Sequence, residues 1–169
     1  MSTFVAVNTY THSVTYVTGN ILRSLQDIVR LSGLNPTQIS EEWSVLERGI
    51  STWIDSKHLE TIVLEVYNPS TNVLIGRWDI DIAYEWSSDG GGRFWVDTEQ
   101  IKFAIKKAGV WPGDSKYSII CQTRNGRPNV DGWSTVQFRS TAGMVKQSLG
   151  TTIEHSGLGA AASYYRKVS

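Results

Sequence analysis

Between residues 9 and 31, Val14, Val17, Ile21, Leu25, Ile28 and Val29 recur at helical spacing, while Arg23, Gln26 and Arg30 fall elsewhere on the wheel. An apolar stripe this long must be covered, so the rest of the chain has to supply a face that packs on it. Gly33 reads as a helix stop and Pro36 as the opening of another turn. A second stripe over residues 40–56, carried by Trp43, Leu46, Ile50, Trp53 and Ile54, predicts a second amphipathic helix.

The period then becomes two. Leu59 to Tyr67 is rich in β-branched residues and stops at the turn-forming Asn68-Pro69-Ser70-Thr71-Asn72. Over residues 73–86, Trp78, Ile80, Ile82 and Tyr84 alternate with Asp79, Asp81, Ala83 and Glu85, as a hairpin strand with one wet face would. Gly90-Gly91-Gly92 breaks the pattern as a surface loop. Asp97 then opens a third helix, with Ile101, Ala104, Ile105 and Ala108 on one stripe, Lys102, Lys106 and Lys107 facing water, and Gly109 closing it. Residues 117–123 read as a strand ended by Asn125-Gly126-Arg127-Pro128. Here the folded body looks complete. From Asn129 onward, Gly132, Gly143, Gly150, Gly157 and Gly159 interrupt short Ser/Thr-rich pieces, which predicts short strands with long connections. The expected architecture is α+β, and 169 residues with 40% hydrophobic content suit one domain, 1–169.

Composition narrows the function. Sixteen basic residues balance sixteen acidic ones, so no overall field draws the protein to nucleic acid or an anionic membrane, and a protein partner fits better. The single cysteine, Cys121, excludes an intramolecular disulfide and a cysteine-rich zinc site, and points to a reducing, cytoplasmic setting. No apolar run approaches the length of a membrane span, and the N-terminus does not read as an export signal.

The residues that could carry chemistry each have a simpler reading. Asp79 and Asp81 project from one strand face and could share a metal, but alternation already requires polar residues there, so they read as the solvated face of the hairpin. Glu154-His155-Ser156 contains triad residue types, yet neighbouring side chains on an extended chain diverge and no nucleophile elbow is present. Cys121 sits in mid-strand as a small core residue. The glycine loop lacks the Gly-Lys-Ser/Thr end of a phosphate cradle. No catalytic, cofactor or metal residue is expected. A tail of about forty residues is long for structureless chain and is usually functional or disordered.

Particular strings carry a resemblance: Thr11-His12-Ser13-Val14-Thr15-Tyr16-Val17-Thr18 running into Asn20-Ile21-Leu22-Arg23-Ser24-Leu25, then Ile75-Gly76-Arg77-Trp78-Asp79-Ile80, and Ile153-Glu154-His155-Ser156-Gly157-Leu158-Gly159. With the order of elements, they resemble the bacterial HORMA domain family over essentially the whole chain. The resemblance implies a mainly antiparallel sheet packed by about three helices, a core over 1–128 and a C-terminal safety belt over 129–169, crossing a closure peptide that adds a strand to the core. It implies a non-enzymatic adaptor switching between open and closed forms. Its partners would be a closure-motif peptide, a cGAS/DncV-like nucleotidyltransferase activated in anti-phage defence of the CBASS type, and an AAA+ ATPase that reopens it. Under it, Tyr117, Ile119 and Cys121 would neighbour the peptide, and Phe138, Tyr164 and Tyr165 would anchor the belt. Two other readings stay open: a metal-dependent phosphotransfer enzyme built on Asp79 and Asp81, and a structural assembly subunit.

Overall fold

The computed structural model describes residues 10–87 and 94–167. Helix α1 (Tyr10–Leu31) is followed by α2 (Thr37–Glu41) and α3 (Trp43–Asp55), then strands β1 (Leu59–Tyr67), β2 (Leu74–Tyr84) and β3 (Phe94–Val96). Helix α4 (Thr98–Ala108) leads into β4 (Lys116–Thr123), β5 (Met144–His155) and β6 (Leu158–Lys167). The expected helix over 40–56 is thus two, bent at Glu42, whose φ of −96° and ψ of 10° leave helical geometry. The glycine loop at 90–92 lies outside the described residues.

Helix α1 is the centre of the layer, and Val17, Ile21, Leu25 and Ile28 on its stripe are fully buried. It packs on α3 and α4 on either side and on β5 and β6 below. Gly33, at φ +90°, ends it with a backbone bond from Leu34 N to Val29 O of 3.0 Å, which satisfies a terminal carbonyl. At α4, the Asp97 carboxylate accepts the Gln100 N–H at 3.0 Å as the N-cap.

The six strands form one sheet in the order β3-β5-β6-β2-β1-β4, and every neighbouring pair is antiparallel. Registers Ile62↔Ile80, Leu64↔Trp78, Ile62↔Cys121 and Leu64↔Ile119 align the apolar rows of β1, β2 and β4 on one face. That row belongs to the core beneath the helices. Glu65, Arg77 and Asp79 share the opposite face.

Strands β5 and β6, which fall within the expected belt over 129–169, share one sheet with the strands of the expected core. Strand β6 pairs with β2 through eight registered positions, from Arg77↔Tyr165 to Tyr84↔Leu158, and β5 pairs with β6. The two strands are long, not short, and Ile153, Leu158, Ala160 and Ala162 are core residues. Gly159 and Ala160 to Ala162 have weak strand propensity, which hid the strand, but small side chains let α1 approach the sheet closely. Ser156 and Gly157 both take positive φ, 53° and 94°, and form the two-residue turn between β5 and β6. A Cβ on Gly157 would collide with the Glu85 carbonyl oxygen, so this turn admits no side chain there.

The hairpin tip is tied to α1. His155 is 2% exposed, and its Nδ1 lies 2.6 Å from the Ser13 hydroxyl, which also accepts the Trp86 indole N–H at 2.8 Å. Burial first, and the neighbouring His12 second, hold the His155 imidazole below its ordinary value of 6.5. The unfolded chain therefore binds the extra proton more readily, so the stability linked to His155 is complete above about pH 6.5 and is lost as pH falls below it. Thermal melts between about pH 7.5 and 5.5 are expected to show a falling midpoint that flattens in His155→Gln. An equally steep fall in that variant would remove His155 as the cause.

Candidate functional site

Strand β4 is an edge of the sheet: β1 pairs with one side, and its other side makes no backbone hydrogen bond to the protein among the described residues. Unpaired edges attract other strands and are normally protected. Here the protection is a strap. Residues 129–143 leave the end of β4, run outside its free edge and continue into β5, which lies beyond β1, β2 and β6 in the sheet order. Between strap and strand is a cavity of about 770 Å³, lined by Ser118, Ile119 and Cys121 of β4, by Trp53 of α3, and by strap residues including Val136 and Phe138.

One end of the strap is seated on α3. The Trp53 indole N–H donates to the Pro128 carbonyl at 2.7 Å, and the Trp133 indole N–H donates to the Val45 carbonyl at 3.0 Å. The two indoles meet edge to face at 5.0 Å between centroids. Trp133 lies directly on Gly49, where a Cβ would overlap Nε1 and come within 2.7 Å of Cζ2. Glycine is therefore required at Gly49 for closeness, not for backbone angle.

The other end is an ion pair on the outer face. Glu65 is fully buried, and its Oε1 accepts Arg139 Nη1 at 2.7 Å while its Oε2 accepts the Arg139 backbone N–H at 2.8 Å. The same guanidinium lies 3.6 Å from the Tyr67 ring centroid and donates to Asn72 Oδ1 at 2.9 and 3.1 Å. Next to it, Phe138 and Tyr165 flank Arg77, with ring centroids 4.8 and 4.9 Å from the guanidinium carbon. Between these clasps the strap is largely exposed, including Val136 at 54% and Phe138 at 40%.

Of the residues that the resemblance marked, Ile119, Cys121 and Phe138 line the cavity together. Tyr117 is elsewhere, buried with its hydroxyl donating to the Asn35 carbonyl at 2.8 Å. Tyr164 stacks on Trp78 within the core, and Tyr165 lies on β6 against Arg77 and Lys146. Burial pushes the Cys121 thiol well up, away from thiolate chemistry, and the charge of Arg127 offsets this only in part. Sequence reasoning missed the clasps Trp133, Gly49, Glu65 and Arg139. The one local signal was Glu65, a carboxylate within an otherwise apolar stretch of β1 that is buried from Ile62 to Val66.

Asp79 departs from its reading as a solvated residue. It is 4% exposed, and both its carboxylate oxygens are held by Arg77, at 2.6 and 3.0 Å, because i and i+2 on a strand share a face. Asp81 accepts from Thr61 Oγ1 at 2.8 Å. The two carboxylates are occupied separately rather than converging on one point, and no group of three or more His, Cys, Asp or Glu among the described residues is arranged to hold a metal. No described helix is long and apolar enough to cross a membrane.

A helix-backed antiparallel sheet whose C-terminal strap crosses an open strand edge defines the protein as a HORMA-type fold. The chain belongs to the family described as Bacterial HORMA domain 2, whose profile matches residues 1–168. Among solved structures, HTP-2 bound to HTP-3 motif-6 superposes with a TM-score of 0.77 at 12% identity, covering 96% of this chain and 93% of the other. A chain of the mitotic checkpoint complex gives 0.74 at 8% identity, with 90% and 97% covered. A chain of the Escherichia coli MS115-1 CdnC:HORMA-deltaN complex gives 0.59 at 11% identity, with 98% and 94% covered. At these identities the likeness is one of fold. No curated protein matches.

Proposed function

We propose that this chain is a non-enzymatic peptide-binding switch, in which residues 129–169 act as a belt that closes over a closure-motif peptide added to β4. The observation that carries this reading is the unpaired outer edge of β4, set in a cavity that the strap spans between two clasps. An extended peptide there would complete the ladder that β4 offers, gaining main-chain hydrogen bonds along its length. The eight residues of β4 extend for about 27 Å, room for a strand of similar length. Strap residues that are exposed over the cavity, Val136 and Phe138 among them, would then have something to cover.

On this reading the strapped arrangement is the closed one, and opening would require the strap to leave Gly49 and Glu65. HTP-2 is bound to HTP-3 closure motif 1 in one of its own complexes, and the E. coli relative is found with CdnC. On that basis we further propose that the closed form binds and activates a cGAS/DncV-like nucleotidyltransferase in cytoplasmic anti-phage signalling, and that an AAA+ ATPase reopens it. Separate occupation of Asp79 and Asp81 favours this over a phosphotransfer enzyme.

The test is to pan a random-peptide library against the whole chain and against Trp133→Ala. Because β5 and β6 complete the sheet, truncation near Gly132 would remove both of these strands, so a clasp variant is the sounder control. Peptides that bind the wild type and dissociate at least tenfold faster from the variant are expected, about 1.4 kcal/mol or more at the barrier. Equal dissociation from both proteins would remove the belt from the mechanism, and an absence of binders would remove the peptide.

A further inference from the structure

The cavity beside β4 is lined by no carboxylate, and its charged members are Arg127 and Arg139. Arg139 is committed to Glu65. Arg127 follows β4 in the turn that leads to the strap, is half-buried with its guanidinium carbon 5.1 Å from the Trp53 ring centroid, and forms no ion pair among the described residues. The chain as a whole carries equal numbers of acidic and basic residues, so this uncompensated cation is a local arrangement and not a product of composition.

Position along the strand matters as much as charge. Cys121 lies on the helix-facing side of β4, opposite Ile62, and Arg127 and Trp53 stand at that end of the cavity. A strand added outside β4 directs alternate side chains to the two faces, and one row shares the face of Cys121. The side chain of that row nearest the end of β4 meets Arg127. An apolar or basic side chain placed there would strip water from the guanidinium without replacing it, whereas a carboxylate would match its planar fork.

We infer that the slot selects a strand-forming segment of a partner protein that carries an aspartate or glutamate on the Cys121 face, at the end where β4 finishes, with Arg127 as its counter-ion. The inference rests on strand capture at β4 and adds the chemistry of the captured segment. It is tested by panning one random decapeptide library in parallel against wild type, Arg127→Gln and Arg127→Glu, each first shown to melt cooperatively. Wild-type binders are expected to share an acidic residue at a fixed spacing, Arg127→Glu binders to carry Lys or Arg at the same position, and Arg127→Gln binders to show no charge preference there. A synthesised wild-type binder is expected to lose about tenfold or more in affinity for Arg127→Gln, with the difference shrinking as salt is raised. Binders that depend on Trp133 but show the same side-chain preferences in all three proteins would overturn the charge selection and leave strand capture standing. No binders from any of the three would overturn both.

Discussion

Arg139→Ala is expected to destabilise the protein by about 3–5 kcal/mol, measured by denaturant unfolding, because it abandons a carboxylate that has no other access to water. Glu65 is fully buried, and two of the hydrogen bonds it accepts come from Arg139, one from the guanidinium and one from the backbone. Removing the side chain leaves the backbone bond without the guanidinium that anchors this end of the strap. Arg139→Lys keeps the charge but loses the planar fork that spans Glu65 and Asn72 and lies over Tyr67, so it is expected to restore less than half of the loss. The double substitution Glu65→Leu with Arg139→Met separates stability from function. It removes both charges from a buried site and is expected to recover most of the unfolding free energy. It would still lack the clasp, so any captured peptide would leave quickly. A double variant as unstable as Arg139→Ala alone would show that the cost lies in packing rather than in the stranded charge.

At the other clasp the expected sign reverses ordinary helix chemistry. In the interior of α3, Gly49→Ala would raise intrinsic helix stability by about 1 kcal/mol if nothing covered the position. Here the added methyl enters the space of the Trp133 indole, so we expect a net loss of about 1–3 kcal/mol together with displacement of the ring from Val45. Trp133→Ala leaves space above Gly49. In that background Gly49→Ala is therefore expected to be stabilising. Four denaturant curves, for wild type, both singles and the double, measure this change of sign directly. If Gly49→Ala is harmless in the presence of Trp133, the indole is not seated on α3 and the strap is held by the Arg139 clasp alone.

Both clasps join residues far apart in the chain, and that explains which parts of the site can be read from the sequence. Trp133 meets Val45 across 88 positions and Arg139 meets Glu65 across 74. No period or turn signal connects such pairs. Of the residues that the resemblance marks as belt anchors, Phe138 lies on the strap and Tyr164 and Tyr165 lie on β6, while the hydrogen bonds that fasten the strap come from a tryptophan and an arginine. Asp79 escapes a sequence reading for a related reason: alternation assigns a face, and it does not say whether that face is wet. Arg77 two residues earlier, on the same face, is the local clue.

What the sequence determined by itself is everything governed by local periodicity. The stripes of α1, α3 and α4, the alternation of β2 and the stops at Gly33, Gly109 and Asn68 follow from side-chain spacing, because burying an apolar row requires that row to lie on one side of its element. Tertiary structure alone decided the pairing of β6 with β2, the free edge of β4 and the path of the strap between them. Those depend on which rows meet. That choice is settled by shape and charge complementarity between distant segments, such as the indole that fits only over a residue with no side chain.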